Sequence, residues 1–217
     1  MPTRKRILIA DDHSLIVTAV ASLLEPAYQV VGRAKDGREL VAEAKRLKPD
    51  AVVLDIGMPE LNGVEAARQI AEQDAKVKLV FLTQQLETSF VQFAFNAGAH
   101  GYVAKQASSD ELLTAMQAVF RGEYYVTSLL SGKGVEQLAL RSPRTNPASL
   151  FGNNLTSRQR EVLQLIAEGK SAKEIGSALN ISAKTAEFHR AAIMDELGLR
   201  TTADLTRYAL STGIANL

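Results

Sequence analysis

The stretch that most constrains this chain is Ala51-Val52-Val53-Leu54-Asp55-Ile56-Gly57-Met58-Pro59. Four apolar residues, two of them β-branched, run straight into a carboxylate. A short continuous apolar run of this kind reads as a strand buried on both faces, as in a parallel sheet. Gly57 and Pro59 then end the strand and turn the chain. That places Asp55 at the carboxyl end of a central strand, the edge where open α/β sheets hold their ligands. Taken alone, Asp55 reads equally well as a residue that simply caps the next turn.

The neighbouring segments favour the ligand edge. Arg6–Ala10 is an apolar run that stops at Asp11-Asp12. His13 to Glu25 has Leu15, Ala19 and Leu23 at helical spacing, with Pro26 as a stop. Tyr28–Ala34 reads as a strand and Asp36-Gly37 as a turn. Leu40, Ala44 and Leu47 mark a helix ended by Pro49. Asn62 is a candidate N-cap for a helix bearing Val64, Ala67 and Ile70. Val77–Leu82 reads as a strand closed by Thr83, and Glu87–Asn96 as a helix with Gly98 at its C-terminal cap. Gly101–Ala104 is a short strand ending at Lys105. Ser108 and Glu111 form a capping-box pattern for a helix to about Gly122.

Strand and helix thus alternate five times. The spacing predicts a doubly wound α/β fold, a five-stranded parallel sheet in the order 2-1-3-4-5. In that order Asp11, Asp12, Asp55, Thr83 and Lys105 converge on one edge of the sheet.

Residues 126–154 differ in texture. Ser128–Gly134 and Arg141–Asn154 are rich in Ser, Gly, Pro and Asn, with a possible short helix at Val135–Leu140. The segment reads as a linker. Ser131-Gly132-Lys133-Gly134 lacks the first glycine and the preceding strand of a phosphate loop. The expected division is therefore 1–125, a linker 126–154, and a tail 155–217. From Leu155 onward the pattern is all helical, with helices expected over 157–168, 172–179, 183–197 and 202–212. Thr156 with Gln159, Ser171 with Glu174 and Thr201 with Asp204 look like helix starts. The second and third helices are joined by Asn180-Ile181-Ser182, the short turn of a helix-turn-helix, so the tail is a small all-α four-helix domain.

Composition narrows the setting. No run of eighteen apolar residues provides a membrane span, and Ile7–Ala10 is too short for a signal peptide, which points to the cytoplasm. Zero cysteines exclude disulfides and Cys-ligated metals. Residues 1–125 carry 14 Lys and Arg against 16 Asp and Glu, and residues 155–217 carry 8 against 7. Any nucleic-acid contact by the tail must therefore come from a local patch.

Three clustered carboxylates cannot all stay ionised without a cation. Oxygen donors suit Mg²⁺. With Mg²⁺ and Lys105 neutralising it, the pocket suits a phosphoryl group in transfer, and Asp55 is the natural nucleophile. Thr83 can donate to a phosphoryl oxygen. On the third tail helix, Ala186, Ile193 and Leu197 share a face that reads as core. Lys184, Glu187, Phe188 and Ala191 share the other side, which is either a plain solvated face or a reading face. Lys170, Lys173, Lys184, Arg190 and Arg200 are placed to touch phosphates across a major groove. Ser182 and Thr185, at the start of that helix, complete the candidate DNA-contact set. His13 and His189 read as structural rather than metal-ligating.

Asp11-Asp12, Asp55, Thr83 and Lys105, with Met58-Pro59, Asn62-Gly63 and Gly98-Ala99-His100-Gly101-Tyr102, resemble the receiver domain of bacterial two-component response regulators. Leu155-Thr156-Ser157-Arg158-Gln159-Arg160-Glu161-Val162-Leu163 and Lys184-Thr185-Ala186-Glu187-Phe188-His189 resemble the LuxR-type helix-turn-helix. Together they resemble the NarL/FixJ class over nearly the whole chain. The resemblance implies Asp55 as phospho-acceptor, with Mg²⁺ held by Asp12, Asp55 and the Gly57 carbonyl and Asp11 assisting through water. It also implies Thr83 and Tyr102 as the switch pair, a sensor histidine kinase as donor, and double-stranded DNA as target. The active form is expected to be a homodimer on a two-fold site. Gln84 stands where the family has a small residue, and Ala186 where it commonly has Val.

Two other readings compete. A haloacid-dehalogenase-type phosphotransferase would carry a second Asp where this chain has Gly57, and would need a substrate cap for which no insertion is long enough. A pure interaction protein fits the weak net charge of the tail and Phe188. A phosphorylation-controlled transcription factor, not a metabolic enzyme, accounts for more of the residues than either.

Overall fold

The structure is a computed structural model that describes residues 4–130 and 155–215. They fall into two compact units, one built on a sheet and one on helices.

In the first unit the strands are β1 (Arg6–Ala10), β2 (Gln29–Ala34), β3 (Ala51–Leu54), β4 (Lys78–Thr83), β5 (Gly101–Ala104) and β6 (Tyr125–Val126). The helices between them are α1 (Ser14–Leu24), α2 (Gly37–Leu47), α3 (Gly63–Gln73), α4 (Thr88–Asn96) and α5 (Ser109–Phe120). All the pairings are parallel, in the order β2-β1-β3-β4-β5-β6. The five expected strands stand in their expected order, and a sixth is added at the β5 edge. Ala51–Leu54 is buried throughout, as its apolar run required. Ile7, Ile9, Val53, Val80 and Val103 pack with Val20, Leu24, Leu112 and Met116 into one core. Each such side chain stabilises the fold by roughly 1.5–3 kcal/mol against leaving it in water. Leu112 and Met116 are buried in this core.

β6 lies in and beside the stretch expected to begin the linker. Tyr125 N donates to the His100 carbonyl at 3.0 Å and Thr127 N to the Tyr102 carbonyl at 2.7 Å. A 3₁₀ turn, Ser128–Leu130, follows, and Leu130 is fully buried. Glu111 does not act as a capping-box partner. Ser108 makes no side-chain cap bond. The Glu111 carboxylate instead accepts from Ser128 N at 2.7 Å and from the Tyr125 hydroxyl at 3.3 Å. The expectations for Ser131–Gly134, Val135–Leu140 and Arg141–Asn154 lie outside the described residues.

The second unit holds α6 (Ser157–Ala167), α7 (Ala172–Leu179), α8 (Ala183–Leu197) and α9 (Thr202–Ser211), within one residue of the expected ranges. Full capping boxes open α6, α7 and α9, as read from Thr156, Ser171 and Thr201. Val162, Ile175, Leu179, Ala186, Ile193 and Leu205 form the core of this unit.

Candidate functional site

At the carboxyl edge of the sheet, ladder hydrogen bonds continue one residue past three strands. Asp11 N donates to Ala34 O at 3.1 Å, Asp55 N to Ala10 O at 3.0 Å, and Lys105 N to Thr83 O at 2.8 Å. The backbone therefore fixes the Asp11, Asp55 and Lys105 side chains at one level. Lys105 Nζ lies 2.7 Å from Asp11 Oδ2 and 2.7 Å from Asp55 Oδ2. The Lys105 side chain is only 6% exposed. Burial opposes its charge, and the two carboxylates more than offset that, so the ammonium titrates above its ordinary value. The remaining Asp55 oxygen, Oδ1, accepts from Ile56 N at 2.7 Å.

The Asp55 loop is held from below by α3. A Cβ on Gly63 would stand 1.8 Å from the Asp55 carbonyl oxygen, so only glycine lets the helix start there. Gly63 N also donates to Ile56 O at 2.9 Å. Gly57 sits two residues past Asp55 on this loop.

Asp11 is buried, whereas the Asp12 side chain is about a third exposed. His13 Nδ1 lies 2.8 Å from Asp12 Oδ1 and 3.2 Å from Asp11 Oδ1. The Asp12 charge, with hydrogen bonds to both carboxylates, raises its imidazole above the usual value. Asp11, Asp12 and His13 each present a ligand atom within 4.8 Å of one another. The hard oxygen donors of this set fit a small divalent cation, and His13, read from sequence as structural, stands in donor reach of the same place.

Thr83 is 1% exposed and Tyr102 is fully buried, so its ring already lies inward. Gln85 joins the two. Its N–H donates to Thr83 Oγ1 at 3.3 Å, and its carbonyl accepts from the Tyr102 hydroxyl at 2.8 Å. Burial, then the charges of Asp55 and Glu87, push the Tyr102 hydroxyl well above the ordinary phenol value. Gln84 is exposed.

In the helical unit, α7 and α8 meet at a tight turn. Asn180 is left-handed at φ 55°, and a Cβ on Gly176 would stand 2.8 Å from the Ile181 carbonyl oxygen. Ser182 caps α8 by accepting from Thr185 N at 3.0 Å. Ala186 and Ile193 face inward; Lys184, Glu187, Phe188 and Ala191 face solvent, as do Lys170 and Lys173. Arg190 is set back from that stripe. Its guanidinium donates to Thr202 Oγ1 at 2.6 Å and pairs with Glu187 at 3.7 Å, tying α8 to α9.

Two family models match the chain: the response regulator receiver domain over residues 7–117, and the bacterial regulatory proteins of the luxR family over residues 153–209. The chain belongs to the response regulators, in the NarL/FixJ class. The transcriptional regulatory protein LiaR of Bacillus subtilis is 33% identical over 97% of this chain and 99% of its own. A LuxR-family two-component response regulator from Aurantimonas sp. SI85-9A1 superposes with a TM-score of 0.59 at 31% identity, over 62% of this chain and 98% of that one. RcsB from Salmonella enterica serovar Typhimurium, solved bound to a promoter with the phosphomimetic BeF3⁻, superposes with a TM-score of 0.59 at 25% identity, over 96% of this chain and all of that one. This response regulator is a DNA-binding transcriptional regulator of a two-component system rather than a metabolic enzyme. Among the described residues no helix is long and apolar enough to cross a membrane.

Sequence reasoning quoted Gly63 within a motif without giving it a physical role, and missed Gly176 and the Gln85 bridge. Only the close backbone approach explains the two glycines. The Gln85 contacts are made by its backbone and leave no mark on residue choice.

Proposed function

We propose that Asp55 is the phosphoryl acceptor of this regulator. The observation that carries the reading is the Lys105 ammonium bridging Asp11 and Asp55 at 2.7 Å each on the carboxyl edge of the sheet. One Asp55 carboxylate oxygen attacks the phosphorus of a phosphohistidine on the partner kinase. The bond from phosphorus to the histidine nitrogen breaks, and the imidazole leaves with that electron pair. Lys105 is placed to follow the developing charge from Asp55 to a phosphoryl oxygen, and Thr83 to donate its hydroxyl to another. Asp11, Asp12, Asp55 and the Gly57 carbonyl would hold Mg²⁺, which supplies charge neutralisation for the incoming phosphoryl oxygens. Thr83, Tyr102 and the Gln85 backbone between them form the switch. In the tail, Lys170, Lys173 and Lys184 contact phosphates with Ser182 and Thr185, and Glu187, Phe188 and Ala191 face the bases. Arg190 acts from behind that face. The active species is a homodimer whose two tails occupy a two-fold site in cytoplasmic DNA, since paired half-sites multiply affinity through effective concentration. RcsB dimers on DNA support this arrangement by analogy.

Intact-mass measurement after incubation with acetyl phosphate and Mg²⁺ tests the assignment. A single phosphoryl adduct is expected on the unmodified chain, and none on Asp55→Asn. Asp12→Ala should also stay unlabelled, while melting without Mg²⁺ no lower than the unmodified chain, because one carboxylate fewer relieves repulsion. An undiminished adduct on Asp55→Asn would overturn the reading.

A further inference from the structure

Helix α8 exposes one large apolar side chain. Phe188 is 70% exposed, against 36% for Leu210, the other large apolar side chain exposed in the tail among the described residues. A single exposed apolar residue is ordinary on a protein surface. Its position is what matters. Phe188 lies on the outward stripe of α8, one turn after Lys184 and just under one turn before Ala191, opposite the buried Ala186 and Ile193. Its ring meets His189 edge-on, with centroids 6.1 Å apart and planes at 67°. That contact leaves the outer part of the ring open, in keeping with its exposure.

The inference rests on the reading of α8 as the helix that enters the major groove. A phenyl ring has no hydrogen-bonding group, so it cannot read the donors and acceptors on base edges. In B-DNA the apolar feature of the major groove is the C5-methyl group of thymine. Of the polar residues on that stripe, Glu187 is an acceptor suited to an exocyclic amino group and Lys184 a point charge suited to phosphate; Ala191 is also apolar, but its single methyl reaches less far from the helix than the Phe188 ring. We propose that Phe188 is a specificity-determining residue that selects thymine in each half-site by packing on its C5-methyl group.

Deoxyuridine pairs as thymine does and lacks only that methyl. The test uses the full chain with acetyl phosphate and Mg²⁺, and duplexes selected by it from a random-sequence pool. Each thymine of a half-site is then replaced singly by deoxyuridine. One position per half-site should weaken binding about fourfold, the ratio expected for one buried methyl. Phe188→Ala, an exposed substitution, should bind thymine and deoxyuridine duplexes equally. Lys184→Ala should weaken both equally and shallow the salt dependence by about one unit of slope. If the chain binds the selected duplexes and no single deoxyuridine matters, the inference falls while α8 as reading helix stands. If the deoxyuridine penalty survives in Phe188→Ala, another group reads the methyl and the inference again falls. If nothing is enriched from the pool, the DNA reading and the inference fall together.

Discussion

The two candidate functional surfaces of this regulator are built in opposite ways. The receiver pocket draws Asp11, Asp55, Thr83 and Lys105 from the ends of four strands, and buries all four side chains almost completely. The α8 face draws Lys184, Glu187, Phe188 and Ala191 from two turns of one helix and leaves them in water. In the pocket, charge is costly and must be paired, so each side chain is tied both to the fold and to the chemistry. On α8 charge costs little, so residues are free to suit a partner without cost to the helix. Changes in the pocket should therefore register as stability, and changes on α8 as affinity alone.

The largest expected effect separates them directly. Lys105→Met leaves the buried Asp11 and Asp55 carboxylates facing each other without their shared cation. We expect the receiver to lose about 3 kcal/mol without divalent ions, with part regained on adding Mg²⁺. Lys184→Ala, in contrast, should melt with the unmodified chain. Calorimetry on the full chain measures both. Equal melting of Lys105→Met and the unmodified chain would break the contrast.

Much of this division was visible in the sequence, for a physical reason. Asp11, Asp55 and Lys105 interrupt apolar runs, and a parallel sheet brings strand ends together, so their convergence followed from topology. The α8 face followed from periodicity, with Ala186 and Ile193 marking the inside. β6 was not visible, because a two-residue strand leaves no hydrophobic period. It is held by backbone bonds to His100 and Tyr102 and by the Glu111 carboxylate. For the same reason Glu111 was misread: its spacing from Ser108 fits a capping box, and only the tertiary structure gives it the backbone of Ser128 instead.

A smaller effect sharpens the comparison through pH. His100 packs against Tyr124, with ring centroids 5.9 Å apart, and its Nδ1 accepts from Leu79 N at 3.4 Å. Burial, then the Lys78 charge, lowers its pKa to about 4. Between pH 6.5 and that value, the unfolded chain takes up a proton that the folded receiver refuses. Stability is therefore full above pH 6.5 and falls on acidification. His13, raised in pKa, works in the opposite direction, but it is exposed and screened by solvent. Allowing for the partial exposure of His100, the loss should be on the order of 1 kcal/mol. His100→Asn keeps an acceptor near Nδ1 and removes the titration, so melting temperature should fall less between pH 7 and pH 4.5. An unchanged acid slope would show that other groups set it.

On the proposed function, a phosphoryl group on Asp55 controls what α8 does to DNA. That control is tested most directly by measuring the DNA affinity of the full chain and of Asp55→Asn, each with and without acetyl phosphate and Mg²⁺. Phosphorylation is expected to tighten binding by the unmodified chain on the order of tenfold, within the usual range of coupling between two sites, and to leave Asp55→Asn unchanged. Equal affinity of the unmodified chain in its labelled and unlabelled states, or an equal response from Asp55→Asn, would contradict it.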